Sequence, residues 1–295
     1  MMLLIEKYIK YLRYEKNFSL HTEISYSTDL QQFSEFLKEH FPEIDIKAAD
    51  SDIIRLWIVS LMEAKISARS VNRKLSTLKS FYKYLLRINE ISINPVKKIT
   101  GPKTPKPIPA FINNTDMDKI LDNTNFDDSY ESLRNQIMIE LFYATGIRRA
   151  ELIGLRDTDV DFSNETIQVT GKRNKQRIIP FSDGMRTLLE QYITIRDKEV
   201  ENTTGYLFVR ENGKQLYPML VHRIIEENLK HIPTLSKTSP HVLRHSFATS
   251  MLNNGADINA VKELLGHSSL AATEIYTHTS FEELKKIYNK AHPRA

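Results

Sequence analysis

The chain has 295 residues, 41% hydrophobic and 26% charged, with a formal net charge of +4; this is the profile of a soluble protein with room for two ordinary domains. It contains no cysteine, which excludes disulfides, cysteine-ligated zinc and thiol catalysis and fits a cytoplasmic location. Glu6, Lys7, Lys10 and Arg13 interrupt the first fourteen residues, so they do not read as a signal peptide, and no apolar run approaches membrane-spanning length.

The first hundred residues read as helices. Ile5, Tyr8, Ile9 and Leu12 recur at helical spacing, as do Tyr26, Leu30, Phe33 and Leu37, with Ser19 placed to cap the second segment. A third helix is predicted over 51–64 and a fourth over 68–87, the latter with Val71, Leu75, Leu78, Tyr82 and Leu85 on one face. These residues also carry the charge asymmetry, since residues 1–100 hold 16 Lys and Arg against 12 Asp and Glu. Between Ala64 and Asn89 stand seven basic residues and no acidic one: Lys65, Arg69, Arg73, Lys74, Lys79, Lys83 and Arg87. Such a stripe is the footprint of a nucleic-acid-binding helix, although a solvated face has the same composition.

Asn94-Pro95 ends the helical pattern, and residues 101–109 hold four prolines, which impose extended backbone and an interdomain linker. A buried helix is predicted over 133–143, ending at Thr145-Gly146, and another starts near Arg149. Three short strands follow, 160–162, 166–170 and 177–180, joined by Ser163-Asn164 and by 171–175. Helical spacing returns after Asp183, apart from turns near Gly205 and Gly213. The expected fold class is mainly α with a small antiparallel β-sheet, in two domains: a four-helix domain over 1–97, a linker over 98–110, and an α+β domain over 111–295.

Several groups suited to a phosphodiester are spread along the second domain. Arg148 follows a glycine break at a helix start, where free N–H groups favour an anion, and Glu151 lies one turn on to fix its guanidinium. Arg149 points about 100° away from Arg148 and cannot share its site. Lys172 and Lys175 lie on a hairpin tip, and an ammonium there is a mobile proton donor where a guanidinium is not. His241 and Arg244 share a helical face at i, i+3. His267 follows Gly266 at a helix end, and Tyr276 supplies a phenol nine residues later. Guanidinium forks pair with the non-bridging oxygens of a phosphoryl-transfer transition state, and a tyrosine can attack phosphorus. A rival reading, a metal site of His241, His245, His267 and His278, lacks a partner carboxylate pair and the His-Glu-x-x-His pattern.

Together these segments resemble the tyrosine recombinase (phage integrase) family, and within it the Xer branch. The resemblance rests on 144–155, 170–180 and 239–278, and on Ser19-x-x-Thr22-x-x-x-Tyr26-x-x-Asp29-Leu-x-x-Phe33, which looks like the family's SAM-like core-binding domain. It implies catalytic roles for Arg148, Lys172, His241, Arg244, His267 and Tyr276, with Tyr276 the nucleophile, His241 the proton acceptor and Lys172 the general acid. DNA contacts are expected from Thr22, Arg69, Arg73, Lys79 and Lys175. The family implies a two-domain clamp on duplex DNA, a 3′-phosphotyrosyl intermediate and a Holliday junction, with neither cofactor nor metal. It implies an inverted-repeat site and four subunits on two DNA sites, with a second related recombinase and a cell-division DNA translocase as further partners. An amphipathic tail, about 281–291, would dock on its own domain or on a neighbour. Chromosome dimer resolution is the expected role, favoured by a chain that starts directly at the core-binding domain; the alternatives are a mobile-element integrase and a type IB topoisomerase-like enzyme.

Overall fold

In the computed structural model, residues 2–105, 110–122, 129–171, 174–230, 232, 235, 238–266 and 281–294 are described. They form two compact units, Met1–Pro107 and Ile108–Ala295.

The first unit consists of α1 (Met2–Tyr14), α2 (Leu20–His40), α3 (Ser51–Glu63) and α4 (Ala68–Arg87). Local capping sets two of the starts. Asp50 accepts from the N–H groups of Asp52 and Ile53, both at 2.9 Å, and Ser67 accepts from Ser70. Ser19 stands at the N-cap position of α2, but its hydroxyl pairs with that of Thr22 at 3.0 Å and makes no bond to the backbone. The apolar face predicted for α4 is the buried one: Val71, Leu75, Leu78, Tyr82 and Leu85 are all in the interior. Leu75, Leu78, Tyr82 and Leu85 meet Tyr8 and Leu12 of α1, Leu30, Phe33 and Leu37 of α2, and Ile54 and Trp57 of α3. Trp57 packs against Phe33 with centroids 4.9 Å apart.

The second unit is built on α6 (Tyr130–Thr145), in which every residue from Ile137 to Thr145 is buried. A helix buried on all sides belongs at a centre, and α8 (Asp183–Glu199) and α10 (Pro240–Asn253) pack against it. The other helices are α5 (Asn114–Asp122), α7 (Arg149–Gly154), α9 (Pro218–Leu229), α11 (Ile258–Leu265) and α12 (Phe281–Ala291). Gly146 ends α6 in the left-handed region at φ +58°. A Cβ there would lie 2.7 Å from side-chain atoms of both Leu265 and Phe247, so only glycine fits both the dihedral and the space.

Strands β1 (Val160–Asp161), β2 (Thr166–Thr170) and β3 (Gln176–Pro180) form an antiparallel sheet in that order. Asp161 holds the first turn by accepting from Ser163 and Asn164, both at 3.0 Å. Thr170 pairs with Gln176 at the second turn, and Val169 pairs with Arg177. With a side-chain period of two, Arg177 is on the same face as the buried Ile179, while Ile178 faces out.

The C-terminal helix α12 lies on its own unit. Tyr288 and Ala291 pack among Phe247 and Met251 of α10 and Val261, Leu264 and Leu265 of α11. The His292 ring stacks on Tyr288 at 5.1 Å, and burial pulls its pKa down to about 4. It is therefore neutral near pH 7: Nδ1 accepts from the Arg294 N–H, leaving Nε2–H to donate to the Tyr143 carbonyl at 3.2 Å. Arg294 reaches Glu140, Asp118 and Asp122 beyond.

Candidate active site

The end of α11 is where the second unit gathers its charge. A helix C-terminus leaves its last carbonyls without intrahelical donors and carries the negative end of the dipole. Here three consecutive carbonyls are taken by three different arginines. Arg177 Nε donates to Leu264 O at 2.7 Å, Arg244 Nη2 donates to Leu265 O, and Arg148 Nη2 donates to Gly266 O at 3.0 Å. Gly266 closes the helix at φ +63°.

Each arginine arrives from a different element. Arg148 stands at the N-cap position of α7 on extended backbone, just past the Gly146 turn. The anion expected at this helix start is Glu151's own carboxylate: its Oε2 accepts the Arg148 N–H and its Oε1 accepts Arg148 Nη1, both at 2.8 Å. Arg149 turns outward, as its offset predicts, and donates to Pro218 O at 3.3 Å. Arg244 projects from the first turns of α10 into the interior, where Nη1 also donates to Gly146 O. Arg177, on the inward face of β3, closes on Glu151 with both terminal nitrogens, at 2.8 and 2.9 Å.

The electrostatics follow from this count of charges. Among the described residues, three guanidiniums surround one carboxylate. Burial alone would raise Glu151's carboxyl, but the bonds from Arg177 and Arg148 outweigh it and hold its pKa at about 2. Arg244 is pulled down to about 10, first by burial and then by facing Arg148 and Arg177, with Glu151 opposing. It is still a cation near pH 7. The cluster therefore carries a net charge of about +2 in a half-buried setting, a site suited to an anion. Arg148 and Arg244 each spend two of their donors on these protein bonds, leaving the rest of each planar fork for a ligand.

The other expected residues are placed as follows. His241 is exposed in the first turn of α10, one turn before Arg244, with Pro240 ahead of it fixing the helix start. Gly171 sits directly over Glu151: a Cβ on it would lie 3.2 Å from Oε1, so the β2–β3 turn begins at the arginine cluster. Lys172, the next residue, lies outside the described residues, as do His267, Tyr276 and His278. Among the described residues no group of three or more His, Asp or Glu is arranged to hold a metal ion. No helix among them is long and apolar enough to cross a membrane.

The basic stripe of α4 is less uniform than its sequence. Asp29 of α2 is buried beneath it and accepts from Arg73 at 2.5 Å, from Lys74 Nζ at 3.0 Å and from Thr77 Oγ1 at 2.8 Å. Arg73 also reaches Ser25, and Lys74 is itself buried. The acid absent from α4's own sequence thus comes from a neighbouring helix. Arg87 pairs with Glu15 at 3.0 Å. Arg69, Lys79 and Lys83 are exposed and share an arc of about 80° on α4 at 100° per residue. Thr22 is half-buried beside Ser19, and Lys175 is exposed on the second unit. Arg177 was not singled out from sequence. The signal that finds it is the strand alternation that puts residue 177 on the face of Ile179.

The Phage integrase family pattern matches residues 110–283, and the Phage integrase N-terminal SAM-like domain matches residues 5–89. The chain belongs to the phage integrase family. It is a tyrosine recombinase, an enzyme that cuts and rejoins DNA strands. It is 39% identical over 293 residues to the tyrosine recombinase XerC of Anoxybacillus flavithermus, covering 98% of this chain and 97% of that one. It is 36% identical over 315 residues to the XerC of Chlorobaculum tepidum, at 98% and 94% coverage. The XerH site-specific recombinase in its post-cleavage complex on palindromic difH substrate superposes with a TM-score of 0.74 at 25% identity, over 96% of this chain and 82% of that one. The Tn1549 transposon integrase in complex with transposon right-end DNA gives 0.73 at 21% identity, over 96% and 97%, a likeness of fold.

Proposed function

We propose that this recombinase acts on duplex DNA at an inverted-repeat site, with Tyr276 as its nucleophile, to resolve chromosome dimers. The observation that carries the chemical part is the arginine cluster at the end of α11. Its excess positive charge stands immediately before His267 and ten residues before Tyr276 in sequence. A scissile phosphate seated there receives free guanidinium N–H groups from Arg148 and Arg244, which meet the charge that builds on its non-bridging oxygens. Tyr276 attacks phosphorus, forming a 3′-phosphotyrosyl bond and releasing a 5′-hydroxyl. An ordinary tyrosine has a pKa of about 10, so its proton must be taken during attack; His241, exposed beside Arg244, is assigned that role. His267 completes the oxyanion contacts. Attack by a 5′-hydroxyl from another strand reverses the step and joins the exchanged ends.

Lys172 is assigned the proton for the leaving 5′ oxygen. Lys172→Ala should slow cleavage of a normal phosphodiester by about 10²–10⁴-fold, the usual worth of a positioned acid. A 5′-bridging phosphorothiolate leaves as a thiolate and needs little protonation, so that substrate should recover most of the rate. Equal defects on both substrates would make Lys172 a phosphate or groove contact.

Residues 1–97 and 111–295 are both assigned to DNA contact, with four subunits joining two sites. The exposed arc of α4 is the proposed DNA-facing surface of the first domain. Replacing Arg69 or Lys79 with Ala should weaken binding and lower the slope of log K against log salt by about 0.9 for each phosphate no longer neutralised. An unchanged slope would make the arc a solvated face. Arg73, held by Asp29, should also affect folding.

The near-complete match to XerC relatives supports the chromosomal role; integration of a mobile element is the second reading. Strand exchange between two labelled duplexes carrying an inverted repeat of roughly 30 bp, two half-sites about one helical turn apart, tests the reaction. Recombinant strands are expected; relaxation of a single plasmid without exchange would point to a topoisomerase. Sequencing the DNA captured covalently in cells separates the roles: one chromosomal site is expected, and ends of a mobile element would overturn the chromosomal reading.

A further inference from the structure

Arg177 has no role in the mechanism above, yet it is the most fully engaged arginine of the cluster. Nε and both terminal nitrogens are bonded, two to the carboxylate of Glu151 and one to the last turn of α11. Its side chain is 11% exposed, against 31% for Arg148. The fit is tight, since a Cβ on Gly266 would lie 2.9 Å from Arg177 Cδ. Arg177 is thus turned towards the protein, whereas Arg148 keeps donors for a ligand.

We infer that Arg177 is a positioning residue of this recombinase, locking Glu151 onto Arg148 and tying strand β3, which follows Lys172, to the helix end that precedes His267. The inference rests on the proposed function and deepens it. Glu151 uses Oε1 for both Arg148 Nη1 and Arg177 Nη1, and Oε2 for the Arg148 N–H and Arg177 Nη2. With Arg177 in place both oxygens are fixed, so the Arg148 fork has one orientation. Without it, the carboxylate is still buried but keeps only Arg148 as a direct partner.

The charged groups facing Glu151 among the described residues are Arg148 from the start of α7, Arg177 from β3 and Arg244 from α10. Removing Arg177 takes away the strongest of the forces that hold the carboxyl down and leaves burial to raise it. A protonated Glu151 offers one acceptor fewer, and Arg148 is left with Gly266 O and a weakened carboxyl contact to hold its fork. The sign is fixed: cleavage needs Glu151 ionised, so raising its pKa moves the acid limb of the rate profile upward.

The test is single-turnover adduct formation on a nicked suicide substrate between about pH 5 and pH 9, with DNA affinity measured in parallel. The wild type is expected to show no acid limb from Glu151. Arg177→Met should lower the rate by about 10–100-fold with DNA affinity nearly unchanged, and should show a new acid limb falling up to tenfold per pH unit. Arg177→Lys restores a cation and should return most of the wild-type profile. In Arg177→Met/Glu151→Gln the new limb should vanish, because its titrating group is gone. Arg177→Gln takes the place of Arg177→Met if the latter does not fold. A variant profile parallel to the wild type at every pH would overturn the inference and leave Arg177 a packing residue. A wild type that forms no adduct at all would instead overturn the proposed function.

Discussion

Tyr276→Phe should bind its DNA site within about twofold of the wild type and form no covalent adduct. The substitution removes one oxygen and keeps the ring. Affinity comes from phosphate and groove contacts, so it should survive. Covalent capture requires the nucleophile and should fall to background. Tyr288 is no substitute. It is fully buried, its ring stacks on His292, and burial pushes its phenol well above the ordinary tyrosine range. A denaturing gel of the nicked suicide substrate reads the result directly. A persistent adduct in Tyr276→Phe would remove Tyr276 from the role assigned to it.

Arg244→Ala should cost on the order of 10²–10³-fold in the rate of cleavage, the worth of one preorganised donor to a developing oxyanion. It should also lower stability by about 1–3 kcal/mol, because the carbonyls of Gly146 and Leu265 lose their shared donor. Arg244→Lys is the sharper variant. It keeps the charge, but an ammonium cannot span both carbonyls and present a planar edge to phosphate. If charge alone mattered, Lys would restore the rate; the geometry predicts that it recovers little. Single-turnover rates and thermal melts of the two variants, taken together, separate chemistry from folding. Wild-type rates in Arg244→Ala would contradict the assignment of the cluster as the phosphate site.

What the sequence disclosed was the part written in local spacing. The bounds of α4, the strand Thr166–Thr170 and the Gly146 break followed from periodicity and turn chemistry, since each is decided by a few adjacent residues. The pairing of Arg148 with Glu151 was legible for the same reason, lying one helical turn apart. Long-range partners were not. Asp29 answers Arg73 and Lys74 across 44 and 45 residues, so the helix that looked free of acid is partly neutralised by its neighbour. Arg177 meets Leu264 across 87 residues, and no spacing rule connects a strand to the carbonyls of a distant helix end. Glu151 showed only one partner in sequence, because the second comes from the sheet.

The positive charge gathered at the end of α11 is assigned to a tyrosine-mediated attack on phosphorus, where it stands in for the charge that a divalent cation would otherwise bring. That assignment is tested by incubating the wild-type protein with a nicked suicide substrate in excess EDTA, digesting the adduct and mapping the modified peptide by mass spectrometry. Undiminished adduct under chelation is expected, with the 3′-phosphate on Tyr276. Loss of the adduct under EDTA with recovery on adding Mg²⁺ or Zn²⁺, or attachment to a different residue, would contradict it.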